Sequence, residues 1–214
     1  MVTTPSGGDA RATRTSRTTV LDRSFFARSP DTVARDLLGA YLVVRVARVT
    51  HRVRLVETEA YGGRDDPASH AARGPTPRCA VMFGLAGHLY VYRSYGVHWC
   101  ANVVTGEEGS ASAVLLRAGE LVVADTVGDP SRTFLRGPGL LTRAVGLTGA
   151  HSGLDCAAGK ASSVWFERVM PARRSPWRAT PRVGISKETA REWRFVLDER
   201  RDVVTPRRPA RPPG

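Results

Sequence analysis

Residues 53–70, VRLVETEAYGGRDDPASH, constrain the fold more than any other stretch of the chain. Val53, Leu55, Glu57, Glu59 and Tyr61 alternate with Arg54, Val56, Thr58 and Ala60, a period of two that predicts a β-strand. Gly62, Gly63 and the Asp65-Asp66-Pro67 run end it in a loop. On such a strand Glu57 and Glu59 share one face, about 7 Å apart. Two like charges that close, among Val, Leu and Tyr, are costly to bury unpaired. Either both are solvated on an open face, or one sits in a cleft for acid–base work. The surrounding motifs favour the cleft.

A chain of 214 residues fits one domain with loose ends and has room for a sizeable core. Its formal charge is +12, and only Lys160 and Lys187 among the 32 basic residues are lysines. Such a surplus favours polyanionic partners, since phosphate contacts by Arg or Lys release counterions. A GC-rich genome would also enrich arginine, and part of the surplus lies in the two tails. Charge therefore points to nucleic acid without settling it.

Cys79, Cys100 and Cys156 are far apart and odd in number, with no CxxC. That pattern fits a reducing, cytoplasmic setting and speaks against a disulfide framework or a zinc ribbon. The five histidines form no HExxH, and no PCxxC completes a deaminase signature. No metal or other cofactor is expected. No uncharged apolar run approaches the length of a membrane span.

In chain order, residues 1–20 are polar, small and basic, and read as a disordered tail rather than a secretory signal. Ser29-Pro30-Asp31 looks like an N-cap, a first-turn proline and a first-turn acid. Val33, Ala34, Leu37 and Leu38 give that helix an apolar face, and Gly39 stops it. Residues 41–49 and 53–61 read as paired strands. Leu89 to Tyr92 and Trp99 to Val104 form a second pair around a Ser94-Tyr95-Gly96 turn. Ala113 to Arg117 is a short buried strand. Gly137-Pro138-Gly139 opens a helix with Leu140, Leu141, Ala144 and Val145 inward. Residues 164–170 and 194–197 supply the last strands. The domain spans 21–200, and the Pro/Arg-rich segment 201–214 is a loose tail. Mixed elements without a βαβ rhythm argue an α+β fold with a mostly antiparallel sheet.

Several side chains carry two readings. Tyr90 fits ordinary strand filler. Tyr95 differs, because a ring at a turn tip protrudes and can stack on or wedge between bases. His70 in a loop is by default a solvated histidine, and Arg117 a surface charge. Asn102, on an apolar strand, needs a hydrogen-bond partner if buried.

The segments VRLVETEAY, DPASHAARGPTPR, GHLYVYRSYGVHWCANVV, AVLLRAGE, RGPGLLTRAVG and PRVGIS, in that order, closely resemble the alkyladenine (3-methyladenine) DNA glycosylase family. This is the single-domain alkylpurine family, not the helix-hairpin-helix glycosylases. The resemblance covers roughly residues 24–197. It implies a curved sheet flanked by helices, acting as a monomer on double-stranded DNA that contains alkylated or deaminated purines. It also implies roles. Glu59 matches the catalytic base, while Tyr61, His70 and Tyr92 match the walls of the base pocket. Tyr95 matches the side chain that fills the gap left by a flipped nucleotide. Asn102 matches the residue that screens purines. Arg117 and the Val183 carbonyl match groups that hold the water, and Thr76 and Arg78 match a phosphate-contacting loop. Three positions depart from the family pattern: Cys79 stands for the usual Asn, Leu140 for a frequent Lys, and the segment after Phe195 fits loosely.

The implied chemistry is coherent. A base inside a duplex is unreachable and must be extruded, with a wedge offsetting the unstacking. Cleavage of its N-glycosidic bond passes through an oxocarbenium-like state. A cationic alkylpurine leaves readily, so a positioned water and a carboxylate suffice. No lysine precedes Lys160, so a monofunctional hydrolase is expected rather than a Schiff-base lyase. Two other classes compete: a catalytically silent DNA-binding module on the same fold, and a small-molecule nucleosidase. The first has no need of a carboxylate facing phosphate, and the second none of a protruding Tyr95.

Overall fold

Alternating apolar residues do become strands, and the strands join edge to edge into a single curled antiparallel sheet. The computed structural model describes residues 17–122, 132–170, 175–202 and 204. Among the described residues ten strands run in chain order: β1 Arg17–Val20, β2 Tyr41–Val46, β3 Val49–Tyr61, β4 Leu89–Ser94, β5 His98–Thr105, β6 Ser112–Val122, β7 Arg132–Arg136, β8 Val164–Met170, β9 Trp177–Thr180 and β10 Arg194–Leu197. The main path is β1-β8-β2-β3-β6-β5-β4, with β10 on β3, β9 on β10 and β7 on β6.

β3 and β6 form the spine. One edge of β3 runs beside β6 for most of its length, while its other edge pairs first with β2 and then with β10. β6 divides in the same way, pairing β5 through its first half and β7 through its second. Two long strands that each change partner midway bend the sheet into a half-barrel. The β3–β6 register shifts between Leu55 and Thr58, an irregularity that adds local twist.

The helices seal this curl. Helix α1 is Arg23–Phe26, α2 is Pro30–Asp36 and α3 is Pro138–Ala144. Helix α2 starts as the sequence suggests, with Pro30 in its first turn and an Asp31–Arg35 ion pair of 2.7 Å. Ser29 caps by position only, since its hydroxyl bonds Thr32 Oγ1 rather than a backbone amide. Val33, Ala34 and Leu37 are buried, and Thr58 Oγ1 of β3 donates to the Ala34 carbonyl at 2.9 Å. Phe26, Leu42, Leu55, Leu116, Leu141 and Phe166 fill the core.

Three expectations need correction. The N-terminal tail ends before residue 20, because Arg17–Val20 pairs with β8, while residues 1–16 lie outside the described residues. Most of segment 201–214 lies outside them too. The strand expected at 113–117 runs on to Val122. Gly119 permits this: a Cβ there would stand 2.3 Å from Val53 Cγ1 and 2.8 Å from the Arg54 carbonyl. Leu140 is 42% exposed, so α3 buries Leu141 and Val145 but turns Leu140 outward.

Candidate active site

The C-terminal end of β3 at Tyr61, the β4–β5 hairpin, the start of β6 and the loops at 68–82 and 183–185 surround a cavity of about 610 Å³. Tyr90 and Tyr92 are two apart on β4 and so share a face. Their ring centroids are 5.5 Å apart, and the His70 ring stands edge-on to Tyr92 at 4.5 Å. His70 Nδ1 shares a hydrogen bond of 3.1 Å with the Tyr90 hydroxyl. Tyr90 is thus both buried filler and a support for the wall. Burial pushes its phenol up to about 12 and raises that of Tyr92 further. Solvent reaches His70 at the mouth, yet the atoms packed around its ring, and then the Arg78 charge, lower its pKa. Its neutral form is favoured at pH 7.

Beneath the cavity lies a charge-balanced floor. Glu57 and Glu59 are both fully buried, and Arg117 of β6 bridges them. Its Nε donates to Glu57 Oε1 and its terminal nitrogen to Glu59 Oε2, each at 3.0 Å. Arg194 Nε donates to Glu57 Oε1 at 2.6 Å. Two carboxylates and two guanidiniums offset one another where a lone charge would be prohibitive. Burial works to lower the Arg117 pKa, but Glu59 and Glu57 more than reverse it, so the guanidinium stays charged. Neither carboxylate is solvated, and Arg117 is no surface charge.

Glu59 has two further donors. The Val183 amide reaches Oε1 at 2.7 Å, and the Tyr61 hydroxyl reaches Oε2 at 2.9 Å. Burial, then the Glu59 charge, push the Tyr61 phenol well above its usual range, which keeps it a donor. Tyr61, Arg117 and Val183 all line the cavity, so every donor to Glu59 faces it. The resemblance points to the Val183 carbonyl, whereas the contact with the carboxylate is made by its amide.

The remaining expected residues divide between wall and rim. Asn102 is buried beside the cavity, and its amide donates to the Tyr90 carbonyl at 3.1 Å. The partner it required is a backbone group of the neighbouring strand. Tyr95 is 93% exposed at the β4–β5 turn with φ of 48°, a protruding ring at the mouth. Arg78 lies over the Tyr92 ring at 5.1 Å and donates to the Arg93 carbonyl. Thr76 is exposed away from the cavity lining. Its hydroxyl meets Cys79 Sγ at 3.1 Å, so the cysteine does tie this loop together.

Sequence reasoning missed Asp66, Arg182 and Arg194. Arg182 and Asp66 form a fully buried pair at 2.5 and 2.9 Å, and Arg182 also donates to the Ala60 carbonyl and lies 4.8 Å over the Tyr61 ring. Burial raises the Asp66 pKa, but Arg182 and the Gly62 and Ala68 amides outweigh it, and the net shift is downward. The available signal was Arg182 itself, a charge inside the otherwise small and apolar PRVGIS motif.

Aromatic walls around a cavity, a buried carboxylate–guanidinium floor and a protruding tyrosine beside cations suit an enzyme that handles a planar ring carried on a polyanion. Residues 24–201 match the family model of methylpurine-DNA glycosylase. A protein of Frankia casuarinae is 47% identical over 202 residues, covering 88% of this chain and 93% of that protein. One from Rhodopseudomonas palustris is 46% identical (83% and 86% covered), and one from a Mycobacterium species 45% identical (86% and 93% covered). All three are provisionally named 3-methyladenine DNA glycosylases. The chain belongs to the methylpurine-DNA glycosylase family and is a hydrolase of N-glycosyl bonds in DNA.

Proposed function

We propose that the protein, acting as a monomer in the cytoplasm, extrudes alkylated or deaminated purines from duplex DNA and hydrolyses their N-glycosyl bond. The relatives' names support 3-methyladenine as one substrate. The observation that carries this reading is the buried Glu59, whose three donors all line the base cavity.

Tyr95 fills the stack that the extruded nucleotide leaves, and the base enters between Tyr61, Tyr92 and His70. An alkylated, electron-poor purine gains there from stacking and a cation–π attraction. As the N-glycosyl bond lengthens, its electron pair moves onto the purine and positive charge develops on the sugar. Water at the floor adds to the anomeric carbon, and its proton passes to Glu59. Glu59 also stabilises the developing sugar cation, and the Arg117, Tyr61 and Val183 donors hold the carboxylate in place for both tasks. A cationic alkylated purine leaves as a neutral base, so for that substrate no strong general acid is required; a neutral deaminated purine needs a proton on its ring as it leaves. No lysine lines the cavity among the described residues, which supports direct hydrolysis over a Schiff base.

Glu59→Gln keeps the shape but cannot take the water's proton. Single-turnover base release from alkylated duplex should fall roughly 10²–10⁴-fold, with lesion binding retained. Release at the wild-type rate would move the base elsewhere, first to Glu57.

A further inference from the structure

A second cavity of about 600 Å³ adjoins the first, and the two share a wall made of Ala68, Ser69, His70, Gly184 and Ile185. Three cations, Arg64, Arg73 and Lys187, line it, and among the described residues no Asp or Glu does. Some arginines elsewhere, such as Arg23, Arg52 and Arg182, are closed by a carboxylate, and others, such as Arg93 and Arg143, are not, but here three such cations face one concavity. Among the described residues these three cations have no ion pair; Arg64 merely lies 5.6 Å over the Phe83 ring. Three unneutralised cations at one concavity repel one another, and an anion relieves that repulsion.

The shared wall is rigid. Asp66 stands two residues before Ala68 and Arg182 two before Gly184, and their fully buried ion pair clasps the two segments together. Ser69 is nearly buried in the wall, and its oxygen accepts from the Ala71 amide at 3.2 Å. Its O–H is left to donate. The second cavity is therefore positioned relative to the first rather than left to loop motion.

We propose that this second cavity seats a backbone phosphodiester flanking the extruded nucleotide. The inference rests on the reading that the first cavity holds the base. A nucleotide with its ring against the His70 side of the wall carries its phosphates past that wall, where Arg64, Arg73 and Lys187 wait. The seat thereby couples phosphate binding to extrusion, since only a strand displaced toward the base cavity reaches it.

The test compares wild type, Arg64→Gln/Arg73→Gln/Lys187→Gln, and Arg48→Gln as control. Arg48 sits in the turn before β3, at the opposite end of that strand from Tyr61, about 40 Å along the chain path if fully extended. The probe is a duplex with one alkylated 2′-fluoro purine nucleotide, which slows cleavage and leaves binding readable. The dependence of log affinity on log salt should flatten by roughly 0.9 for each lost phosphate contact in the triple variant, and stay unchanged in Arg48→Gln. A neutral methylphosphonate placed at the seated position should weaken wild type but not weaken the triple variant further. Equal salt slopes for all three proteins would overturn the proposal, as would methylphosphonate losses identical in wild type and triple variant at every position. If wild type released no base from the unfluorinated duplex, the catalytic reading alone would fall, because the phosphate seat is read from binding.

Discussion

The floor of the base cavity and its rim are built on opposite terms. On the floor, Glu57, Glu59, Arg117 and Arg194 are buried and saturate one another with hydrogen bonds across three strands. At the rim, Tyr95 stands almost free in solvent and Arg78 is exposed. A floor of balanced charges fixes the carboxylate geometry but ties chemistry to folding, because no member can be removed without orphaning another. A rim side chain has few neighbours to disappoint. Floor changes should therefore damage fold and catalysis together, and rim changes should damage binding alone.

The hardest blow to the floor is Arg117→Leu. It leaves Glu59 and Glu57 buried without their shared cation, and breaking a buried pair in this way costs about 3–5 kcal/mol. Denaturant unfolding should show a loss of that size, with base release undetectable. Near-normal stability would mean that the two carboxylates do not depend on the bridge.

Glu57→Gln asks whether the two carboxylates are equivalent. Gln keeps an acceptor for Arg117 and Arg194 but leaves the floor with one surplus positive charge. Arg117 and Arg194 both donate to Glu57, whereas Glu59 is held by the Val183 amide and the Tyr61 hydroxyl in addition to Arg117. The expected result is a stability loss of about 1–3 kcal/mol with base release within about tenfold of wild type. A collapse of release equal to that of Glu59→Gln would make the pair a single catalytic unit.

Tyr95→Ala tests the rim. Loss of a ring that stacks against bases costs about 1–3 kcal/mol, seen as a weaker flipped-state equilibrium by stopped-flow fluorescence. Stability should move by less than about 0.5 kcal/mol, and Tyr95→Phe should restore capture. A destabilised fold with normal flipping would make Tyr95 a structural residue.

The same contrast explains what could be read from the sequence. Strand β3, helix α2 and the β4–β5 hairpin were legible because each carries its own periodicity and its own stop signal. The protrusion of Tyr95 was legible because a turn tip has no neighbours to hide a ring. The floor was only half legible: two close carboxylates demanded a partner, but nothing local identified Arg117, 58 residues away from Glu59. The Asp66–Arg182 clasp spans 116 residues and was invisible for the same reason. Strand β1 exists only because β8 offers an edge, and β6 continues through Gly119 only because β3 presses against it. Tertiary partners decide such elements, and composition does not announce them.

Asn102 lies between floor and rim, and its substitution should have the smallest effect on stability-normalised repair. Guanine differs from hypoxanthine by an exocyclic 2-amino group, which the cavity must admit or refuse. The Asn102 amide is pinned by its bond to the Tyr90 carbonyl, on the strand that also carries Tyr92. A fixed polar group beside the base slot can obstruct an added amine, whereas Ser or Ala leaves room. Either change removes the bond to Tyr90, at a cost of about 1 kcal/mol, so folding must be measured alongside. Asn102→Ser should raise single-turnover release of undamaged guanine above background, with hypoxanthine release altered far less. Guanine release that stays at background in a folded variant would make Asn102 a strand-pairing amide, and discrimination would then rest with the aromatic walls.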